Sequence, residues 1–206
     1  MENNNSGCKV VLCGTPGGRP QYSHTSRGRN YYTFPLFVSR LSGTEDTVNI
    51  VCSEDLIAVD IPDGSSMLKI TGGLRTFNNK SGVGNKLLVF VYAHEMEFCE
   101  DEPANEVSVT GTLCKRPSLR VTPLGREICD LLIAVNRPYG RSDYLPCICW
   151  GKQARVASDY EVGSIIRLEG RIQSRTYIKC TDSGQIEKTA FEVSASEVMK
   201  IEDPVP

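Results

Sequence analysis

The sequence predicts an all-β protein built as two similar small barrels in tandem. Two observations carry that expectation. Apolar residues recur with period two along much of the chain, as strands with one buried face require. The chain also repeats itself in one register. Gly14-Thr15 returns as Gly111-Thr112, Arg19-Pro20 as Arg116-Pro117 and Gly28-Arg29 as Gly125-Arg126. Arg40, Gly43, Asp46 and Cys52 return as Arg137, Gly140, Asp143 and Cys149, every pair 97 positions apart. One or two such matches arise by chance, but a run of them is an internal repeat. The copies fall as residues 1–98 and 107–206. The acidic stretch CEDEPANE, residues 99–106, contains Pro103 and reads as a linker.

The elements follow in chain order. Val10, Leu12 and Gly14 alternate with their neighbours, as do Val107, Val109 and Gly111 in the second copy. Phe34, Leu36 and Val38 form the next face, matched by Leu131, Ile133 and Val135. Val48, Ile50 and Cys52 form the third, matched by Leu145, Cys147 and Cys149. In GKQARVASDY, residues 151–160, Val156 and Tyr160 stand four apart, and Ala154 and Ala157 three apart. That spacing predicts a short amphipathic helix ending before Gly163. In the first copy EDLIAVDIPDG, residues 54–64, allows only a short helix, cut by Pro62. Strand signals resume over 164–179, turn at Asp182-Ser183-Gly184 and continue over 189–198; in the first copy NKSGVGNK, with Gly82 and Gly84, reads as a hairpin turn. Five strands with a helix between the third and fourth is the order of the OB-fold, a small Greek-key barrel that often binds oligonucleotides.

Bulk properties narrow the function. The 206 residues carry a net charge of −2. Residues 1–104 hold 9 basic against 12 acidic side chains, and residues 105–206 hold 14 against 13. A polyanion site must therefore come from local placement of arginines. The nine cysteines are odd in number and scattered, with no CxxC pair and two histidines in the chain. They read as small core residues in a reducing compartment, not as a zinc site or a disulfide framework. The start, MENNNSG, has neither a basic nor an apolar run, and no stretch is long enough to span a membrane, so a cytoplasmic location is expected. No phosphate loop, H-x-E with P-C-x-x-C, or H-E-x-x-H motif occurs; neither catalysis nor a cofactor or metal is expected.

The lone tryptophan, Trp150, ends the run YLPCICW. By residue type alone it reads as core or as a buried subunit contact. Strand parity says otherwise: if Leu145, Cys147 and Cys149 face the core, then Tyr144, Pro146, Ile148 and Trp150 face outward.

Residues 105–200 resemble the bacterial single-stranded DNA-binding protein family. The resemblance rests on the opening V-x-V-x-G-x-L-x-x-x-P, the strand end A-V-N-R, W-G-K-x-A before the helix, and E-G-R-I-x-S-R-x-Y. It is faint in residues 7–98, whose fold follows from the repeat. The resemblance implies non-enzymatic binding of single-stranded DNA in replication, recombination or repair, with RNA as a second possible ligand. It implies aromatic stacking at Tyr139, Tyr144, Trp150 and Tyr177, all aromatic here. Arg126, Arg137, Arg141, Lys152, Arg171 and Arg175 are the basic residues expected at phosphates. In the first copy Ser42, Thr47 and Ser53 stand at three of the four stacking positions, and Phe77 in GGLRTF is set against Tyr177 in IQSRTY. A weakened DNA surface is expected there.

Family members usually work as four OB domains, so a chain holding two is expected to form a homodimer presenting four. They usually also carry a long tail with an acidic tip; this chain ends VMKIEDPVP, and recruitment by that route is not expected. The alternative reading is a primosome-type accessory or structural assembly protein acting through protein contacts.

Overall fold

The computed structural model describes residues 7–57, 66–80, 85–181 and 184–201. The first half runs β1 (Cys8–Pro16), β2 (Gln21–Ser26), β3 (Arg29–Ser39), β4 (Glu45–Ser53), α1 (Glu54–Ile57), β5 (Met67–Asn78) and β6 (Leu87–Cys99). The second runs β7 (Ala104–Leu113), β8 (Ser118–Val121), β9 (Glu127–Arg137), β10 (Arg141–Trp150), α2 (Gly151–Ser158), β11 (Ile165–Thr181) and β12 (Gly184–Lys200). The two halves repeat each other strand for strand.

Each half closes into a five-stranded barrel. In the first, β1 pairs with β3, β3 with β4, β4 with β6 in parallel, β6 with β5, and β5 with β1. The second closes through the equivalent pairings of β7, β9, β10, β12 and β11. This is the OB-fold expected from the strand order. The alternating side chains named above as core are buried, Gly111 alone of those faces being half-buried: Val10, Leu12, Phe34, Leu36, Val38, Val48, Ile50 and Cys52 in one barrel; Val107, Val109, Leu131, Ile133, Val135, Leu145, Cys147 and Cys149 in the other.

Four features differ from the sequence reading. Each barrel carries an added strand, β2 or β8, hairpinned onto β3 or β9. The residues of β2 and β8 are all exposed, so no buried face imprinted a period-two apolar pattern. The β2–β3 turn is a tight one, with positive φ at both Arg27 and Gly28, the backbone of a two-residue hairpin loop. Second, the linker is shorter than 99–106: β6 runs to Cys99 and β7 starts at Ala104. Asn105 is structural, its amide exchanging two hydrogen bonds with the Ile172 backbone at 2.8 and 2.9 Å. Third, α2 buries Ala154 and Ala157 as its spacing predicts, but Val156 lies on its exposed face. Fourth, the halves shift register after their helices. Gly72 stands opposite Val10, and Gly170 opposite Val107, each beside a bulge. Counting from those glycines, Phe77 is the counterpart of Arg175, not of Tyr177. The remainder of the 54–64 segment, the centre of the 79–86 turn and residues 182–183 lie outside the described residues.

The barrels join edge to edge. Cys8 to Cys13 of β1 pair antiparallel with Val109 to Ala104 of β7. Val10 meets Val107, its own copy, so a local two-fold passes between them. Beyond this ladder each first strand turns to close its own barrel: Thr15 and Pro16 onto β3, Thr112 and Leu113 onto β9. Gly14 and Gly111 sit at those corners. A Cβ on Gly111 would strike the Ala134 carbonyl oxygen and the Ile133 side chain; on Gly14 it would strike the Phe37 carbonyl and Val38. The repeated glycines are therefore a condition of barrel closure. Gly111→Ala is expected to cost about 1–3 kcal/mol through overpacking, read as a lower urea midpoint at unchanged slope.

Candidate nucleic-acid interface

Strand β10 lies between β9 and β12 and presents alternate residues to the two faces of the barrel wall. Trp150, its last residue, is 37% exposed. Its indole N–H donates to Ser194 Oγ on β12 at 3.1 Å, and its backbone stands opposite Ile128 on β9. The ring is thus anchored to β12 while keeping area open to solvent, as parity predicts. Ile148, two residues back on that face, is buried at 2% and forms part of the floor.

Beside Trp150 runs a groove of about 910 Å³. Arg120, Arg126, Arg171 and Arg175 line it from the second barrel, and Arg40 from the first. Neither Arg120 nor Arg40 is among the residues expected at phosphates from the sequence; only folding brings them there. Their charges are not equally available. Arg120 Nε pairs with Asp130 at 2.6 Å and Arg40 Nε with the buried Asp46 at 2.6 Å. Arg175 lies 3.6 Å from Glu192, an acid buried in the groove that also accepts from Gln173 Nε2 at 2.9 Å. Arg126 and Arg171 are exposed and make no ion pair among the described residues. They are the groove's uncommitted cations.

Tyr144, Arg137, Arg141, Lys152 and Phe77 are not among the residues that line this groove. Tyr144 is 49% exposed on β10, but at the end that meets the first barrel, where its backbone N–H donates to Thr76 Oγ1 at 3.1 Å. Six residues of strand, roughly 20 Å, separate it from Trp150. Arg137 is structural: its Nε lies 2.8 Å from Oδ2 of the fully buried Asp143. The carboxylate of Asp143 also accepts from the Thr76 N–H at 2.7 Å and faces Arg75 at 3.6 Å, both on β5 of the first barrel. The repeated pairs Arg40–Asp46 and Arg137–Asp143 are thus equivalent ion pairs, and the second also ties the barrels together. Arg141 and Lys152 are exposed, outside the groove. Phe77 is 58% exposed on the first barrel. The side chains of Tyr139 and Tyr177 lie outside the described residues; the Tyr177 backbone pairs with Lys188.

Three core cysteines are held in their unreactive thiol form. Cys147 is buried and its thiol pushed well up by desolvation; burial likewise raises Cys149 to about 12 and Cys8 to about 11. All three stay protonated at neutral pH.

Fold and groove together define a tandem OB-fold protein with an aromatic and arginine-lined cleft on its second barrel. Residues 104–201 match the single-strand binding protein family. The single-stranded DNA-binding protein of Halalkalibacterium halodurans is 38% identical over 80 residues, which cover 35% of this chain and 48% of that protein. That of Oceanobacillus iheyensis is 35% identical over 107 residues, covering 48% and 63%. The chain thus spans roughly half to three-fifths of the curated relatives it matches. The crystal structure of the wild-type single-stranded DNA binding protein from Thermus aquaticus superposes with a TM-score of 0.77 over 97% of this chain and 95% of that one, at 22% identity. It shares the fold across both barrels. The likeness to the single-strand binding protein family lies in residues 104–201, the second barrel.

The two arginine classes should separate experimentally. Arg137→Ala is expected to lower stability by about 1–3 kcal/mol, because Asp143 loses a partner in a buried site. Arg171→Ala should change it by less than about 0.5 kcal/mol. Chemical denaturation of both variants reads the difference.

Proposed function

We propose that this chain binds single-stranded DNA, without catalysis, in the groove beside Trp150. The observation that carries the reading is a partly open indole, fixed by Ser194, at the wall of a groove holding two uncommitted arginines. An unpaired base offers a flat π-face at any sequence, and the backbone beside it offers phosphates; ring and guanidinium groups address each in turn. In a duplex the base faces are covered by stacking, so this arrangement selects single strands. The curated relatives of the second barrel carry the same activity in their names. The proposed setting is replication, recombination or repair, wherever single strands are exposed.

Trp150→Ala should weaken binding to oligo(dT) by roughly 1–3 kcal/mol and leave the fold intact, because an outward ring contributes to the ligand and little to the core. In the wild type, oligo(dT) should quench the Trp150 fluorescence. Affinity should fall with salt at a log–log slope near −0.7 per phosphate neutralised. Removing Arg126 or Arg171 should make that slope shallower by about 0.7 each, and removing Arg137 should not. No quenching at any salt would overturn the reading.

We further propose that two chains associate to present four OB domains. The intrachain ladder of β1 and β7, with Val10 against Val107, already reproduces a two-fold pairing of barrels. One more such association completes four, and several domains on one strand bind at high effective concentration. Light scattering should give twice the 22.7 kDa of one chain. A mass of one chain, unchanged by oligonucleotide, would exclude it.

A further inference from the structure

We infer that the first barrel carries a second single-strand-binding surface, in which Tyr31, Tyr92 and His94 take the place of Trp150. The inference rests on the proposed DNA binding and extends it to a half of the chain where the counterpart of the tryptophan is Ser53.

The equivalence of the two barrels locates it. In the second barrel Trp150 stands between Ile128 on β9 and Ser194 on β12. In the first, Ser53 stands opposite Tyr31 on β3. Tyr92 on β6 pairs beside Val51 just as Ser194 pairs beside Ile148. The large and small residues have thus changed places: one ring flanked by an aliphatic and a serine in one barrel, one serine flanked by two tyrosines in the other. The tyrosine centroids come within 6.1 Å of each other across that serine. The rings continue outward on both sides, His24 stacked on Tyr31 at 5.0 Å and 13°, and His94 edge-on to Tyr92 at 5.5 Å. Tyr31, Tyr92 and His94 are half-buried and His24 is exposed, so this aromatic row is part of the surface.

Two further observations name the occupant. Arg29, the counterpart of the uncommitted Arg126, sits at the equivalent hairpin and, among the described residues, shares a 3.6 Å, exposed pair with Asp55. The Trp150 groove also continues towards this barrel. Arg175 and Glu192 line both that groove and a smaller one of about 370 Å³, which reaches the first barrel at Leu87 and Val89, on the core-facing side of β6. The two surfaces differ in kind. Five arginines and one ring line the first groove, whereas rings outnumber cations on the second. Contacts on the first barrel should therefore depend little on salt.

The test uses the full chain and oligo(dT) of about 30 nucleotides, enough for both barrels at roughly 4–16 nucleotides each, and of about 8. The double variant Tyr31→Ser, Tyr92→Ser should lose about tenfold in affinity per ring for the long oligonucleotide, with the salt slope unchanged. Quenching of Trp150 by the short one should persist, which shows that the second barrel is folded and occupied. Tyr31→Phe, Tyr92→Phe keeps the rings and should keep the affinity. In the wild type, photocrosslinking with 5-iodouracil oligonucleotides should place adducts on Tyr31, Tyr92 or His94 as well as near Trp150; this decides the matter even if the serine variant fails to fold. Wild-type affinity in a folded serine variant, or crosslinks confined to the second barrel, would overturn this inference and leave the Trp150 site standing. Absence of Trp150 quenching in the wild type would instead overturn the DNA-binding reading, and this inference with it.

Discussion

Strands β1 and β7 each serve two barrels, and the rest of the structure follows from that. The first half of each strand pairs with the other across the local two-fold; the second half turns to close its own barrel. A strand can make that turn only where no side chain stands between it and the closing strand, hence Gly14 and Gly111. The result is one continuous twelve-stranded sheet folded into two closed barrels. Closure removes most free strand edges, and the ladder removes the edge that each first strand would otherwise expose. Because the ladder pairs Val10 with Val107, the barrels meet with equivalent surfaces. Residues at strand ends of one then reach the flank of the other: Arg40, just after β3, beside the second barrel's groove, and Asp143, near the start of β10, beneath Thr76 of the first.

That exchange also explains how a chain with net charge −2 makes a cationic groove. The arginines come from separate segments, and several are held in place by acids. Arg120 on Asp130, Arg40 on Asp46 and Arg175 on Glu192 are oriented by their partners. An oriented, half-neutralised guanidinium retains donors for a phosphate but contributes less net charge than an unpaired one. The salt dependence of the groove should therefore rest mainly on Arg126 and Arg171.

Much of the fold was legible in the sequence because a barrel with one buried face writes period two into its strands. Parity alone placed Trp150 outward, against the expectation for a lone tryptophan. What could not be read follows from contacts with no local periodicity. Arg137 looked like a phosphate ligand because its buried partner also serves Thr76 and Arg75, 67 and 68 positions away, and no spacing rule links them. Tyr144 and Trp150 share a face, but parity says nothing about which end of the strand meets the other barrel. The similarity of GGLRTF to IQSRTY hid the register: the glycines at the bulges set Phe77 against Arg175, a shift visible only from pairing. Strand β2 was missed because nothing in QYSHTS is buried.

The divergence of the two halves is best understood as conservation of a place and not of a residue. A flat side chain on this face of an OB barrel can be supplied from the middle strand or from either flank, since all three lie within about 5 Å of their neighbours. Supplying it from the middle, as Trp150 does, leaves the flanks small and gives one ring with room for arginines around it. Supplying it from both flanks, as Tyr31 and Tyr92 do, places a small residue, Ser53, between them. Burial, and contact between the hydroxyl groups, push the Tyr92 phenol up to about 12, so it remains neutral across the working pH range. Position-by-position comparison of the repeat scores Ser53 as a lost aromatic. Comparison of faces finds the aromatic surface retained one strand to each side, with its balance moved from charge towards stacking.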